Sequence, residues 1–360
     1  MIDTLTPFQP LKLLMHAEKV QAMLAGKTVY PIGVEMDLSN SCPHDCPFCS
    51  FGTSKSQGYR QQNWVQFPTP RALTMIEELA EVGVQSITFT GGGEPLVHRE
   101  AAAILEHAAS VGIAFGVVTN GFNLKGPAQD IIAKHATFVR ISLDAGTPET
   151  HQFTHGTATL QFHQILSNLR ATREKAGPRL TIGASFNVMD ENWKEIYLAA
   201  KHVKDAGGNY LEIRPTFPTD WRGDGWGQAL SDANVDYAKT EIAHARAHLD
   251  GDGFRIIGMI DRFDALATPK KRYEKCRIGP LTTVIGADGR LWHCCVQRGM
   301  EFFNIASVAD KSFKEAWAEA QQRHMAETID VSRCPRCRYD SFNTIIEQAC
   351  LSDALHANFI

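Results

Sequence analysis

The chain has 360 residues, of which 21% are charged and 44% hydrophobic, and its formal net charge is −4. These ordinary globular values exclude collagen, coiled coils and intrinsic disorder. The slight acidity argues against a non-specific nucleic-acid binder, which would normally be basic. The length corresponds to about two domains and is sufficient to bury a core without disulfide bonds.

Neither a membrane segment nor a signal peptide is predicted. The longest apolar stretch, Ala101 to Val118, is interrupted by Glu106 and His107 and is too broken to span a bilayer. Asp3 stands where a signal peptide needs positive charge. We therefore expect a cytoplasmic, reducing compartment, in which the nine cysteines act as metal ligands or reactive thiols more often than as disulfides.

Strand-like and helix-like patterns alternate from about residue 30 to 215. Strands rich in Val, Ile, Phe and Thr are predicted at Ile32–Leu38, Ser86–Thr90, Ala114–Thr119, Thr137–Leu143, Thr181–Val188 and Tyr210–Arg214. Helices between them are predicted at Arg71–Val82, Arg99–Val111, Leu160–Lys175 and Trp193–Asp205. This alternation predicts an α/β fold, an open or partial barrel of parallel strands, with ligands at the carboxyl ends of the strands.

The pattern changes after Pro215. Residues 216–227 are rich in Gly, Asp and Trp and predict a loop, and a helix is predicted at Ser231–Leu249. From Cys276 onward, short strands, a hairpin and paired cysteines follow. We therefore expect four segments: a helical extension over 1–29, the barrel over 30–227, a linker helix and strand over 228–275, and a small cysteine-rich subdomain with a final helix over 276–360.

Three cysteines with the spacing C-x3-C-x2-C follow the first predicted strand: Cys42, Cys46 and Cys49. Thiolates are the usual ligands of iron–sulfur clusters. Three of them can hold three irons of a 4Fe–4S cube, which leaves the fourth iron open to a substrate or cofactor. The alternative is a zinc knuckle that includes His44, although zinc sites usually show paired C-x2-C spacings.

Polar and glycine residues follow three other predicted strands. The stretch GGGEP, residues 91–95, comes after the second strand. Its glycines allow the backbone to approach a ligand closely, although glycines alone can also mean a tight turn. Ser142 and Asp144 come at the end of the fourth strand, where they suit ribose hydroxyls, and Arg214 at the end of the sixth would face the same barrel mouth.

The cysteine loop, with the aromatic Phe48 before its third cysteine, and the GGGEP stretch together resemble the radical S-adenosylmethionine (SAM) superfamily. The resemblance covers about residues 30–215 and implies a partial (β/α)6 barrel. It also implies that the open iron binds the methionyl group of SAM, and that reductive cleavage gives a 5′-deoxyadenosyl radical that abstracts a substrate hydrogen. By the same resemblance the methionyl amine is held by Gly91, Gly92, Gly93 and Glu94, and the ribose faces Ser142 and Asp144. From its position at the barrel mouth, Arg214 is expected to contact cofactor or substrate.

A second set of cysteines lies near the carboxyl terminus: Cys276, Cys294, Cys334 and Cys337. Asp288-Gly289 predicts a hairpin between Thr282–Ile285 and Arg290–His293, which would return Cys294 towards Cys276. Four thiolates can close a full 4Fe–4S cluster or an all-thiolate zinc site, and spacing alone does not separate the two, although the set taken in isolation favours zinc.

The spacing C-x12-G-x4-C followed by C-x2-C resembles the twitch subdomain, the short version of the SPASM extension of radical SAM enzymes. It implies one auxiliary 4Fe–4S cluster on those four cysteines, because Asn343 stands where the fuller version would carry a cysteine. Two cysteines remain: Cys295, next to a ligand, and Cys350, on a helix predicted over Phe342–Leu355. A free cysteine is commonly a small buried hydrophobe; the functional alternative is a catalytic hydrogen-atom donor.

Basic residues surround Cys276: Lys270, Lys271, Arg272, Lys275 and Arg277. Such a run is usually a solvated surface, and the functional alternative is a patch for phosphate or carboxylate. Trp221, Asp224 and Trp226, in the loop after the sixth strand, either line a polar pocket or pack.

We expect an enzyme that catalyses oxidation, epimerisation or elimination of a polar small molecule: a sugar, aminocyclitol or nucleotide sugar. If the basic run binds it, this substrate is anionic. Flavodoxin or ferredoxin is the expected electron donor. The alternative substrate is a ribosomally synthesised peptide, to be epimerised or crosslinked; residues 1–29 are too few for a leader-binding domain, but that domain can be a separate chain. A third possibility is a zinc or iron–sulfur structural protein with no enzyme activity.

Overall fold

The computed structural model describes residues 9–49, 51, 64–216, 230–258, 260–266, 271–319, 327–334 and 336–350. Strands β1 to β10 within them span Gly33–Asp37, Ser86–Thr90, Ala114–Thr119, Phe138–Ser142, Thr181–Val188, Tyr210–Pro215, Arg255–Gly258, Thr282–Ile285, Arg290–Trp292 and Asn304–Ser307. Helices α1 to α11 span Ala17–Leu24, Thr69–Glu81, Ala101–Val111, Gly126–His135, Pro148–His155, Leu160–Lys175, Ile196–Asp205, Asp232–Leu249, Ile260–Leu266, Phe313–Ala318 and Asp340–Cys350.

These strands form one sheet in the order β10-β9-β8-β1-β2-β3-β4-β5-β6-β7. Neighbours from β1 to β7 are all parallel, which requires a crossover between each pair. The sheet is open, because β1 and β6 are not adjacent: β8 pairs with β1, and β7 pairs with β6. The predicted α/β fold with six parallel strands is confirmed, and the loops that follow β1 to β6 meet at one edge of the sheet, the carboxyl edge.

The core lies between the sheet and the crossover helices. Strands β3 and β5 carry fully buried apolar residues, such as Val117 and Phe186. Burial on both faces is usual for parallel strands covered by crossover helices. Helix α2 buries Ala72, Met75, Ile76 and Leu79, the spacing of one helix face. This periodicity is why most of the crossover helices could be predicted from sequence.

Two crossover helices were not predicted. Helix α4 begins with Gly126 and Pro127 and is short. Helix α5 buries His151, Thr154 and His155, none of which is apolar. Because helix prediction relies on apolar periodicity, a helix that buries polar side chains gives no such signal.

The other element boundaries differ from the predictions by a few residues. Residues 193–195 form a short 3-10 helix before α7, and the helix predicted from Arg99 begins at Ala101. The last helix begins at Asp340 instead of Phe342, and the predicted continuation over 351–355 lies outside the described residues.

The cysteine-rich segment joins the barrel sheet through β8, which runs parallel to β1 with Gly33 opposite Thr282. The predicted hairpin is present: β8 and β9 are antiparallel, and Gly289 adopts a φ of 78° in the turn. The four proposed segment boundaries remain predictions. No helix in the described part of the chain is long and apolar enough to cross a bilayer.

Candidate active site

The first cysteine set lies in the loop that follows β1, at the carboxyl edge of the sheet. Cys42, Cys46 and Cys49 are each half-buried. The Cys49 backbone N–H donates to the Cys46 carbonyl oxygen over 3.0 Å, so the last two cysteines share one tight turn. Gly156, which caps α5, packs on this loop, since a Cβ there would lie 2.4 Å from the Asp45 carbonyl oxygen.

A nitrogen atom lies near each sulfur of this set. Asn120 Nδ2 is 3.8 Å from Cys42 Sγ, the Phe51 backbone N is 3.4 Å from Cys49 Sγ, and His155 Nδ1 is 3.5 Å from Cys46 Sγ. Asn120 and Phe51 offer N–H donors, and hydrogen bonds to cluster sulfurs are among the factors that set an iron–sulfur reduction potential. His155 Nδ1 donates only in the tautomer that carries its proton on that nitrogen. The donor set therefore fits three thiolates of an iron–sulfur cluster.

The GGGEP stretch follows β2 and packs directly on the cysteine loop. A Cβ on Gly93 would lie 2.2 Å from the Ser41 carbonyl oxygen, which is too close for any side chain. Glu94 N–H donates to that same oxygen over 2.7 Å, and Gly92 N–H donates to the Asp37 carboxylate over 3.2 Å. Glycine at position 93 is thus required by close contact with the protein's own backbone just before Cys42.

The Glu94 carboxylate is buried and accepts three hydrogen bonds. They come from Leu96 N–H at 3.0 Å, Thr119 Oγ1–H at 2.6 Å and Asn120 N–H at 2.7 Å. Burial raises the pKa of Glu94, although these hydrogen bonds oppose the shift. Glu94 and Asn120 thereby tie the loops after β2 and β3 to the first cysteine.

Ser142 and Asp144 follow β4, as predicted, but their surroundings differ. Ser142 is half-buried, whereas Asp144 is fully buried and adopts a φ of 51°. The Asp144 carboxylate accepts from Asn187 N–H at 2.6 Å and lies 3.4 Å from His155 Nε2. The predicted contacts of these two residues with ribose remain predictions.

Arg214, at the end of β6, is one of two arginines that flank a buried acid. Its Nη1 lies 3.0 Å from Glu212 Oε1, and Arg140 Nη1 lies 3.3 Å from Glu212 Oε2. Burial alone would raise the pKa of Glu212, but Arg140 and Arg214 outweigh burial and hold this pKa below its ordinary value. Two cations against one anion leave this group of three with a net positive charge.

The second cysteine set comes together from three segments. Cys276, Cys294, Cys334 and Cys337 line one small cavity. Burial raises the pKa of Cys276 to about 11 and that of Cys294 to about 12. Four converging thiols are a donor set that fits a 4Fe–4S cluster or zinc, and metal binding would displace their protons.

Polar side chains surround these four thiols. Lys271 lines the same cavity, with its Nζ 3.8 Å from the Asp340 carboxylate. Gln297 Nε2 lies 3.9 Å from Cys334 Sγ, and Asn343 Nδ2 lies 4.0 Å from Cys276 Sγ. Asn343 also accepts from the backbone N–H of Arg277, at 2.7 Å. Asn343, which stands where the fuller SPASM extension would carry a cysteine, therefore holds the backbone next to Cys276.

Comparison with known proteins identifies both regions. Residues 36–203 match the Radical SAM superfamily, and residues 276–338 match SPASM, an iron–sulfur cluster-binding domain. The chain belongs to the radical SAM superfamily. Its radical SAM domain binds SAM and a 4Fe–4S cluster, and its SPASM domain binds iron–sulfur.

Three known proteins illustrate what this radical SAM chain is similar to. It is 28% identical to the PqqA peptide cyclase of Bradyrhizobium diazoefficiens over 90 residues, which is 25% of this chain and 22% of that protein. It is 24% identical to the mycofactocin maturase MftC of Mycobacterium tuberculosis over 86% of this chain and 77% of that protein. The Streptococcus suis SuiB structure with its precursor peptide SuiA has a TM-score of 0.66 at 13% identity, covering 90% and 73% of the two chains, which supports the fold.

Several residues of this radical SAM site were missed from the sequence. Asp37 lies on β1 beside Glu35, and Arg298 bonds both acids at 2.9 Å. Arg338, next to Cys337, also pairs with Glu35. Acids at positions i and i+2 of a predicted strand share one face, which was the available signal, but their arginine partners come from distant parts of the chain.

The two remaining thiols differ in what the structure describes. Cys295 is half-buried and packs with Phe51 against Val284 and Trp292, and burial raises its pKa to about 12. The backbone of Cys350 ends α11, but its side chain lies outside the described residues. The catalytic role predicted for each remains a prediction.

Three of the basic residues around Cys276 face acids, whereas Arg272 is exposed, so the predicted anion patch remains a prediction. Lys271 faces Asp340, Lys275 pairs with Glu327, and Arg277 pairs with Glu347 at 2.8 Å. Their charges are engaged in ion pairs within the fold. Lys270, Trp221, Asp224 and Trp226 lie outside the described residues.

Proposed function

We propose that this radical SAM enzyme modifies a ribosomally synthesised peptide. The observation that carries the proposal is the alignment with a maturase over 86% of this chain, through both the barrel and the cysteine-rich segment. A peptide cyclase and a structure solved with a precursor peptide point the same way. These relatives favour the peptide over the polar small molecule that the sequence alone suggested.

In this proposal Cys42, Cys46 and Cys49 hold the cluster that binds SAM, and the loop 91–94 holds the methionyl group. Bound together, the cluster and SAM supply a radical that removes a hydrogen atom from the substrate. Asn120 and Glu94 orient the loop beside Cys42, as their hydrogen bonds indicate. Arg214 and Ser142, which are partly exposed at the carboxyl edge, are placed to contact the rest of the cofactor or the substrate.

The four thiols of the second set would hold one auxiliary 4Fe–4S cluster. The Lys271 ammonium group beside them would offset part of the negative charge of bound thiolates. Flavodoxin or ferredoxin remains the proposed electron donor. The mass of the modified peptide separates epimerisation, which leaves it unchanged, from dehydrogenation and crosslinking, which each remove two hydrogen atoms; fragmentation of the peptide separates the last two.

Deuterium transfer tests the substrate class. A deuterated extract of the host is divided into peptides and small molecules, and each fraction is incubated without oxygen with reconstituted enzyme, dithionite and unlabelled SAM. We expect deuterium in 5′-deoxyadenosine from the peptide fraction, and its loss when that fraction is first digested with a protease. Deuterium only from the small-molecule fraction would contradict the proposal.

A further inference from the structure

Two histidines and one cysteine come together where α5 packs on the first cysteine loop: His44 and Cys46 from the loop, and His155 from the end of α5. Both imidazole rings are buried, at 2% and 1% exposure. One ligand atom from each of the three residues lies within 4.8 Å of the others. The iron–sulfur assignment uses Cys46 as a ligand and neither histidine as one.

The tautomers of both histidines are set by their outer nitrogen atoms. His44 Nε2 lies 2.8 Å from the Gln161 side-chain oxygen, which accepts a hydrogen bond. His155 Nε2 lies 3.1 Å from the Leu143 carbonyl oxygen and 3.4 Å from the Asp144 carboxylate, which also only accept. Each neutral ring therefore carries its proton on Nε2 and presents the lone pair of Nδ1.

These two lone pairs point at one another. The Nδ1 atoms of His44 and His155 are 3.1 Å apart, and Cys46 Sγ is 3.5 Å from Nδ1 of His155. Two acceptors at this distance repel unless a cation lies between them. Zinc bonds are about 2.0 Å to nitrogen and about 2.3 Å to sulfur. In a tetrahedral site two nitrogen ligands are therefore about 3.3 Å apart, and a nitrogen and a sulfur ligand about 3.5 Å apart.

We propose that the cluster-free chain binds one Zn²⁺ through His44 Nδ1, Cys46 Sγ and His155 Nδ1. Zinc binding displaces the Cys46 thiol proton to solvent and leaves a fourth position for water. The outer contacts to Gln161, Leu143 and Asp144 are those that typically orient histidine ligands of a metal.

Zinc at this site and the iron–sulfur cluster exclude each other, because Cys46 belongs to both donor sets. The zinc-bound chain is therefore a state that precedes cluster insertion or competes with it. This inference does not depend on the substrate proposed above.

Metal counting in the full chain tests the site. Protein stripped of metal without oxygen is incubated with Zn²⁺, desalted and analysed for bound metal. We expect two equivalents in the unmodified chain, since the four cysteines of the second set also bind zinc, and one equivalent in His44→Gln and in His155→Gln. His151→Gln is the matched control: His151 is fully buried on the same helix and stacks on His155 at 4.4 Å, but it is not a ligand, so two equivalents should remain.

Two outcomes would overturn the proposal. The first is an unchanged zinc content in both His44→Gln and His155→Gln. The second is the loss of one equivalent in Cys42→Ala, which would indicate a knuckle built on the three cysteines of the loop. If a histidine variant is poorly folded, the Cys294→Ala chain isolates the first site: Zn²⁺ should raise its melting temperature, and should not do so once His44→Gln is added. Zinc-loaded Cys294→Ala chain should also take up about four fewer irons on reconstitution than the metal-free Cys294→Ala chain.

Discussion

The two thiol sites use the same donor chemistry in different settings. Cys42, Cys46 and Cys49 come from one loop, and within the described residues Cys42 borders a cavity of about 590 Å³. The second set comes from three segments and lines a cavity of about 30 Å³. Three thiolates leave one iron of a cluster open to a cofactor, and of the three cysteines Cys42 lines the larger cavity. Four ligands around a small cavity leave no room for a further molecule. Number of ligands and access therefore separate a site that binds a cofactor from a closed one.

The largest effect is expected when one cysteine of each site is substituted, because the two substitutions should differ in their effect on SAM cleavage. Cys49→Ala should remove about four irons and abolish formation of 5′-deoxyadenosine from SAM, because the first cluster loses a ligand. Cys294→Ala should also remove about four irons but keep this cleavage. Iron analysis and a cleavage assay without substrate measure both. Loss of cleavage in both variants would contradict the separation.

The next effect concerns the contact between the barrel and the cysteine-rich segment. Arg298, four residues after Cys294, is 3% exposed and bonds Glu35 and Asp37 on β1. Arg298→Met leaves two buried acids with only part of their compensating charge, so we expect it to lower the free energy of unfolding by about 3–5 kcal/mol.

Arg290→Met is the control for this change. Arg290 lies in the same segment and bonds Glu301 at 2.9 Å, but it is 40% exposed, so its loss should cost about 0–1 kcal/mol. Urea unfolding of both variants gives the comparison. Equal midpoints would show that the buried ion pairs do not join the two regions.

Parts of this arrangement could be predicted from sequence, for identifiable reasons. Ser86–Thr90 and Thr181–Val188 were predicted with their observed bounds because they are rich in Val, Ile, Phe and Thr. The two cysteine sets were assigned from their spacing together with the family resemblance. Helix α5 was missed because it buries His151 and His155, and the ion pairs of Arg298 were missed because no local pattern joins a hairpin to β1.

A smaller effect is expected at the contact between the GGGEP stretch and the cysteine loop. Gly93→Ala places a methyl group against the Ser41 carbonyl oxygen and must displace one of the two loops. Overpacking of this kind costs about 1–3 kcal/mol, and we expect most of it to appear as weaker SAM binding, measured by equilibrium dialysis. Gly177→Ala, where a Cβ meets open space, should leave SAM binding unchanged. Equal affinities in the two variants would mean that this contact does not position the SAM site.

The smallest predicted effect lies in the closed site. The side-chain oxygen of Asn343 accepts hydrogen bonds from the backbone N–H groups of the two residues that directly follow Cys276, Arg277 at 2.7 Å and Ile278 at 3.0 Å. Asn343→Ala removes these bonds and should cost about 1–2 kcal/mol, while Asn343→Asp keeps the acceptor oxygen. We expect slower iron loading of the second site in Asn343→Ala, near-normal loading in Asn343→Asp, and unchanged SAM cleavage in both. Impaired loading in Asn343→Asp as well would assign the effect to the amide nitrogen near Cys276 Sγ, and so to the metal ligand instead of the loop.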